Sequence, residues 1–313
     1  MFSIPFTTRR SVEIEKPADQ VFKYIGDFST WRTWSPWICQ EPECPVDISG
    51  EPLKPGHQQK WDGQRIGSGE MQIINAEPAK KLEYDLHFLK PWKSHSKTAF
   101  ELTGDDDKTT VSWSMQGTLP FFLFFMKKLM SAWVGSDYDR GLSMLKELIE
   151  TGRIDTVSTV KGITDQKPFH YIGIRKECAN SDVGEEMEKV FDDLNKHLAD
   201  TKAPDPDFFF SFYHKFDLVQ GACEFLSGAG YRDHKPSEES GMESGSVSAH
   251  KAVNVEHKGP YRHLGNAWST IMSYEREKKI RKNKSIPMYE IYRNHPKEVS
   301  EENLLTDLYL PAR

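Results

Sequence analysis

Apolar and polar residues alternate through most of the first half of the chain, which predicts strands. The segment 9-RRSVEIEKPADQVFKYIGDF-28 begins with such an alternation at Val12 and Ile14. Pro17 then predicts the start of a short helix, since a residue in the first helical turn needs no N–H donor. Further strand patterns occupy 68–78, 80–89, 95–102 and 109–117, and a helical pattern occupies 137–150. This order predicts a curved antiparallel sheet that grips one long helix.

The second half of the chain contains the same order of predicted elements twice. Strand, helix, strand and strand patterns occupy 168–175, 181–198, 207–218 and 219–226, and again 247–261, 262–280, 286–294 and 304–313. The repeated order predicts two similar halves related by a pseudo-twofold axis, with a groove where they meet. The polar segment 231–246 is expected to be a mobile loop, and 151–166 is expected to be a linker and entry strand.

These patterns predict an α+β protein with two domains. The first is a helix-grip antiparallel sheet domain over 1–152. The second is a duplicated strand-helix-strand-strand domain over 160–313, of the effector-binding type described below. The apolar segment 121–130 is expected to be a hydrophobic lid, a membrane-touching segment or plain core. Its run 119-LPFFLFFM-126 is shorter than the ~20 residues that span a bilayer.

Composition narrows the function classes. The formal net charge is -6 and no long Lys/Arg block occurs, so no nucleic-acid partner is expected. The four cysteines are scattered without a CxxC pair, which argues against a zinc site or a disulfide framework and favours a reduced, intracellular setting. No phosphate-binding glycine loop or metal-ligand cluster stands out, so neither a cofactor nor a metal is expected. No signal peptide or transmembrane segment is recognised, and a cytoplasmic location is expected.

The first half resembles the polyketide-cyclase branch of the START-like (SRPBCC) superfamily. The resemblance is carried by 12-VEIEKPADQVFKYIGDFSTWRTWSPW-37, by Gly67 and Gly69, and by 141-GLSMLKELIE-150. It implies a helix-grip fold with a deep apolar cavity between sheet and helix. Members include lipid binders, cyclases and proteins of no known activity. The predicted core and cavity wall includes Trp31, Trp34 and Trp37, and lesser candidates for polar groups in the cavity are His57, His87 and His95.

The second half resembles the GyrI-like domain, also called the AraC-type effector-binding domain. The matching residues, in the family's order, are 168-PFHYIGIR-175, 257-HKGPY-261, Trp268, 289-YEIY-292, Pro296 and 304-LLTDLYLP-311. The resemblance implies a groove that binds small molecules, often aromatic cations, with an acid at the position of Glu290. Many relatives carry a DNA-binding helix-turn-helix domain. In this chain the START-like half takes its place.

Glu290 is the first candidate for chemistry. Within 287-PMYEIYRNHP-296 the alternation places Met288, Glu290 and Tyr292 on one face of a strand and Tyr289 on the other. A carboxylate buried among apolar surfaces has a raised pKa, and a cation that enters would restore its charged form. This combination favours flat, apolar, positively charged ligands.

The other candidate ligand-binding residues are Tyr171, Tyr261, Trp268, Tyr292 and Tyr309. The leading hypothesis is binding of small hydrophobic or aromatic molecules for sensing or sequestration.

Two other functions remain open. The first is a hydrolase of a reactive apolar metabolite, with Glu290 as acid and base and Tyr171 or Trp268 nearby. The second is a protein-interaction module like the gyrase inhibitors. The plain structural alternative is a surface glutamate paired with Arg175 or Arg293.

Overall fold

The computed structural model describes residues 3–105, 107–237 and 241–313. The chain divides into two units, Met1–Asp155 and Thr156–Arg313, each with its own antiparallel sheet. The predicted α+β class is therefore confirmed. None of the helices within the described residues is long and apolar enough to cross a membrane.

The N-terminal unit holds seven strands and three α-helices among its described residues. The strands are β1 (Ser3–Ile14), β2 (Val46–Ser49), β3 (Gln58–Asp62), β4 (Ser68–Glu77), β5 (Lys81–Lys90), β6 (Ser94–Gly104) and β7 (Thr109–Pro120). The helices are α1 (Ala18–Gly26), α2 (Trp31–Trp34) and α3 (Lys127–Thr151). The strands lie in the order β1-β7-β6-β5-β4-β3-β2, and each neighbouring pair is antiparallel.

The long helix α3 packs on the sheet through the face that its apolar spacing predicts. Leu142, Leu145 and Ile149 are buried on it, and Gly152 ends it in the left-handed conformation at φ 84°. Tyr138 of α3 stacks on Trp113 of β7 with ring centroids 3.8 Å apart.

Aromatic rings occupy the interior of the N-terminal unit, where the resemblance implied a deep cavity. Trp31 and Trp34 are buried, and both pack edge-on against Trp113 at a centroid distance of 5.8 Å. Phe100 stacks on Trp113 at 4.7 Å. These rings take up space between sheet and helix, so their packing counts against a deep open cavity in this conformation.

The segment between β7 and α3 is a surface feature rather than core. Residues Phe121–Met126 form a 3₁₀ helix, and Phe121, Phe122, Phe124 and Phe125 are 61–67% exposed. The alternative that 121–130 is plain core is therefore wrong for these four rings.

The C-terminal unit holds eight strands and two α-helices among its described residues. The strands are β8 (Val157–Gln166), β9 (Phe169–Ala179), β10 (Phe208–Asp217), β11 (Ala222–Tyr231), β12 (Glu243–Val247), β13 (His250–Lys258), β14 (Met288–Tyr292) and β15 (Leu305–Ala312). The helices are α4 (Val183–Asp200) and α5 (Leu264–Lys278). Part of the segment 231–246 that was predicted as a mobile loop forms the edge strand β12, and residues 238–240 of it lie outside the described residues.

The predicted repeat of strand, helix, strand and strand is present as β9-α4-β10-β11 and β13-α5-β14-β15. The sheet order is β12-β9-β11-β10-β14-β15-β13-β8, so the two repeats meet where β10 pairs with β14. The strand order is symmetric about this pair, as the predicted pseudo-twofold relation between the two halves requires.

Both helices cover the same face of this sheet. Tyr213 of β10 packs with the residues under α4, and Met288 of β14 packs with the residues under α5. Tyr213 and Met288 are register partners, so their side chains share a face. This helix-covered face is opposite the face that carries the aromatic cluster of Phe169, Phe210, Phe212, Tyr289 and Tyr309.

Candidate functional site

Glu290 lies at the centre of the sheet, on the helix-covered face, at the junction of the two repeats. Its strand β14 is flanked by β10 and β15, which place Ser211 and Leu308 beside it. The Glu290 side chain is fully buried, with 0% exposure. Strand alternation explains the direction in which it points, because its neighbour Tyr289 belongs to the cluster on the other face.

Three ring-bearing side chains donate hydrogen bonds to the Glu290 carboxylate. The indole N–H of Trp268 donates to Oε1 at 2.5 Å, and the hydroxyl of Tyr292 donates to Oε2 at 2.8 Å. The hydroxyl of Tyr213 is the third donor. The carboxylate therefore has the polar partners that a buried charge requires, although none of them is charged.

A chain of hydroxyl groups extends behind Tyr292. Its oxygen lies 3.0 Å from Ser211 Oγ, and Ser211 Oγ lies 2.7 Å from Ser227 Oγ. The Tyr292 hydroxyl has one proton to donate, and Glu290 Oε2, Ser211 Oγ and the Met187 sulfur all lie within its reach. The carboxylate is the strongest acceptor of the three, so it is the favoured partner of that proton.

Burial dominates the electrostatics of the site. It raises the pKa of the Glu290 carboxyl to about 7, against the opposing effect of the hydrogen bonds from Tyr292, Trp268 and Tyr213. Burial, and then the nearby Glu290 charge, raise the pKa of Tyr213 and Tyr292 well above the ordinary value, so both phenols stay protonated. Near neutral pH the carboxyl is thus poised between its two states.

Within the part of the chain that the structure describes, no basic residue forms an ion pair with Glu290. Arg175 pairs with Glu224 and Glu243, and Arg293 pairs with Glu256 at 3.0 Å. The two arginines that the sequence suggested as partners are therefore engaged elsewhere, and the described residues form no ion pair with Glu290.

Aromatic and thioether groups surround the carboxylate. The ring of Trp268 meets that of Tyr213 edge-on at 5.3 Å, and Phe191 and Tyr261 meet Tyr292 at 5.5 and 5.7 Å. The Tyr292 hydroxyl is 3.2 Å from the sulfur of Met187. Tyr261 is 37% exposed, so it lies where this ring cluster reaches solvent. We refer to the carboxylate and these rings as the Glu290 site.

The structure brings four of the six predicted site residues together, namely Glu290, Tyr261, Trp268 and Tyr292. It does not bring Tyr171 or Tyr309 to them. Tyr171 packs edge-on against Phe210 and Phe212, and Tyr309 stacks on Tyr289 at 4.8 Å. Both lie on the opposite face of the sheet, so their inclusion in one groove with Glu290 is corrected by the strand register.

Sequence reasoning missed Tyr213, Ser211 and Met187. Tyr213 and Ser211 alternate on one face of β10, and this pattern is visible in 207-DFFFSFYHKFDL-218. Only the pairing of β10 with β14 shows that this face adjoins Glu290.

The fold and the site together define a two-unit protein whose C-terminal sheet surrounds a buried acid with aromatic groups. Comparison with protein families agrees with this description. Residues 5–150 match the family of polyketide cyclase / dehydrase and lipid transport proteins. Residues 162–313 match the GyrI-like small molecule binding domain. The two matches follow each other along the chain in the predicted order, and both family descriptions support ligand binding at a coarse level.

Several solved structures are similar to parts of the chain. Protein CV1439 from Chromobacterium violaceum is 13% identical with a TM-score of 0.36, and the match covers 46% of this chain and 96% of that one. CalU16 from Micromonospora echinospora is 17% identical with a TM-score of 0.33, covering 49% and 88%. EcmrR, in a complex with DNA, is 14% identical with a TM-score of 0.42, covering 61% and 69%. Likenesses of this degree carry no argument about function. No curated protein matches the chain.

Proposed function

We propose that the C-terminal unit binds small aromatic cations at the Glu290 site, for sensing or sequestration. The observation that carries the proposal is a fully buried carboxylate that has three neutral ring donors and no basic partner among the described residues. An unpaired buried charge is costly, so a protein that keeps one gains from a ligand of opposite charge.

The surroundings of Glu290 favour a flat aromatic ligand. Cation–π contacts with rings such as Trp268 and Tyr261 contribute about 0.5–2 kcal/mol each. Because Glu290 is 0% exposed, a ligand reaches it only after side chains at the rim move. The exposed ring of Tyr261 is the natural one to swing aside.

A matched pair of ligands tests the proposal. N-methylquinolinium is a flat aromatic cation, and methylnaphthalene is its neutral isostere. We expect calorimetric titration to show tighter binding of the cation to the wild-type protein. Glu290→Gln should lower affinity for the cation by at least roughly thirty-fold, since one member of a buried charge pair is lost. It should leave the affinity for the neutral compound nearly unchanged.

The pH dependence separates charge recognition from shape recognition. Below a pKa of about 7, each pH unit should weaken cation binding by up to about ten-fold, because the carboxyl must lose its proton first. Glu188→Gln, at an exposed position on α4, is the matched control and should behave as wild type. A cation affinity independent of both pH and Glu290 would refute the proposal.

A second candidate function is hydrolysis of a reactive apolar metabolite. It is favoured by the pKa of about 7 at Glu290, the range in which a carboxyl can both donate and accept a proton near neutral pH. In this reaction Glu290 would protonate the leaving atom and then activate a water. Trp268 and Tyr292 would hold the carboxyl in place, while Tyr171 lies on the opposite face of the sheet and would take no part.

Turnover distinguishes the enzyme from the binding protein. An enzyme converts an electrophilic strained-ring substrate into a product heavier by one water, detected by mass spectrometry, and Glu290→Gln abolishes the conversion. Saturable binding of N-methylquinolinium without any turnover of such substrates would exclude hydrolysis and leave binding as the function.

A further inference from the structure

Three side chains that can bind metals converge on the N-terminal sheet, far along the chain from the Glu290 site. Asp85 and His87 lie two residues apart on β5, and His95 is the register partner of His87 on β6. Their strand neighbours Tyr84 and Leu86 are buried, so alternation directs the three polar side chains to the outer face of the sheet. Their side chains are 31%, 44% and 51% exposed, in the same order.

The three side chains already point at one another. His87 Nε2 lies 2.9 Å from Asp85 Oδ2, and His95 Nε2 contacts Asp85 Oδ1. The two imidazole rings stack with centroids 4.5 Å apart and planes inclined by 28°. One ligand atom from each residue lies within 4.8 Å of the others.

This spacing is close to that of a metal site. Bonds of about 2.0–2.2 Å at tetrahedral angles place ligand atoms about 3.3–3.6 Å apart. Opening the His87–Asp85 hydrogen bond by well under 1 Å would reach that range, and the shorter His95–Asp85 contact would open by about 1 Å. Rotation about side-chain bonds allows both changes. Strands β5 and β6 fix the Cα positions of the three residues, so metal binding would need to order only their side chains.

We propose that Asp85, His87 and His95 form a binding site for a divalent transition-metal ion such as Zn²⁺. Two imidazole nitrogens and one carboxylate oxygen are ligands that suit zinc, copper and nickel rather than calcium or magnesium. The remaining coordination positions face solvent and would take water. His87 and His95 were predicted to be polar groups of the cavity, whereas both lie on the outer face of the sheet with Asp85. The three were not grouped from the sequence because one ligand comes from a neighbouring strand and the spacing along the chain resembles no familiar motif.

Proton balance is simple at this site. A carboxylate only accepts hydrogen bonds, so each imidazole now carries its proton on Nε2. When Nε2 binds the metal, the neutral ring changes tautomer, and the proton moves from Nε2 to Nδ1 by exchange with solvent. No net proton is released by a ring that was neutral beforehand.

The charges around the three ligands come from the adjacent strands. Lys97 is the register partner of Asp85, and Glu70 is the register partner of His87. Glu70 pairs with Lys60 at 3.2 Å. Glu83, two residues before Asp85 on β5, pairs with Lys81 at 2.9 Å. Both neighbouring acids are thus balanced by a lysine, so the site depends on its three named ligands rather than on a general negative field.

Zinc titration of the full chain tests the proposal. We expect calorimetry with ZnCl₂ to show a site of one ion per chain in the wild type. His87→Gln, His95→Gln and Asp85→Asn should each weaken this site by at least about ten-fold, as loss of a ligand does. His170→Gln is the matched control, because His170 is a partly exposed strand histidine bonded to Ser246 Oγ rather than to a carboxylate. Equal zinc affinity in all five proteins would overturn the proposal.

A second measurement uses only the wild-type protein, so its result does not depend on whether the variants fold. Diethyl pyrocarbonate modifies free imidazole nitrogens, and mass spectrometry locates the products. Zn²⁺ should protect His87 and His95 at concentrations that leave His170 reactive. Unchanged modification of His87 and His95 in saturating zinc would contradict the site, whatever the variants show.

Discussion

At the scale of single residues, Glu290 shows how a carboxyl can be buried without an ion pair. Trp268, Tyr292 and Tyr213 each supply a neutral hydrogen-bond donor, and burial still holds its pKa near 7. The folded protein therefore stores an unfavourable charge at neutral pH. Such a group is expected where a charged ligand or a proton is handled rather than where stability alone is served.

The raised pKa has a measurable effect on stability. The folded protein holds the Glu290 proton up to about pH 7, whereas the unfolded chain loses it near the ordinary value of 4.5. Stability from this group is thus complete below about pH 4.5 and is lost as pH rises through about 7. The loss is at most about 3 kcal/mol.

The Glu290→Gln substitution removes this pH dependence of the stability. We expect its free energy of unfolding, measured by urea denaturation, to rise relative to that of the wild type between pH 5 and pH 8. Glu188→Gln should follow the wild type over the same range. A constant difference between Glu290→Gln and wild type would show that Glu290 titrates normally in the folded protein.

At the scale of elements, β14 separates two aromatic regions. Glu290 and Tyr292 face the helices, while Tyr289 faces the cluster that holds Tyr171 and Tyr309. Tyr289 and Glu290 are adjacent in sequence but lie on opposite faces of the sheet. Substitutions on the two faces should have different effects on ligand binding.

The face of the sheet decides the outcome of each substitution. Trp268→Phe removes a donor to the carboxylate and should weaken binding of N-methylquinolinium on the order of ten-fold, the usual effect of a lost bond to a charged group. Tyr171→Phe and Tyr309→Phe should change that affinity by less than about two-fold. A large loss in Tyr171→Phe, measured by the same titration, would argue that the ligand binds the other face.

Local periodicity explains which parts of the site could be predicted. Alternation within β14 was enough to place Met288, Glu290 and Tyr292 on one face. The contact between Tyr292 and Ser211 joins residues 81 positions apart, and no local pattern specifies such a pairing. Tyr171 was misplaced for the same reason, since its face was predicted without knowledge of which strands flank it.

The order of elements was the stronger signal for the fold. The repeat of strand, helix, strand and strand was read correctly because each element carries its own period. The edge strand β12 was missed because Glu243–Val247 is polar and rich in small residues, a composition typical of loops. Its strand conformation comes from pairing with β9.

At the scale of the whole molecule, each unit has its own hydrophobic core. The core around Trp113 lies entirely within Met1–Asp155, and the clusters on both faces of the second sheet lie within Thr156–Arg313. Units with separate cores can unfold separately.

Calorimetry should therefore resolve two unfolding transitions. N-methylquinolinium should raise the midpoint of one and ZnCl₂ the midpoint of the other, because a ligand stabilises only the unit that binds it. Glu290→Gln should abolish the first shift alone, and His95→Gln the second alone. A single transition shifted by both ligands would mean that the two units unfold as one.

The four exposed phenylalanine rings of 121–126 should affect self-association of the protein at high concentration. Apolar surface of this kind favours reversible self-association, and the attraction weakens on cooling. Sedimentation velocity should show larger species as protein concentration rises in warm buffer and fewer in the cold. Replacing Phe122 and Phe125 by serine should keep the chain monodisperse at both temperatures.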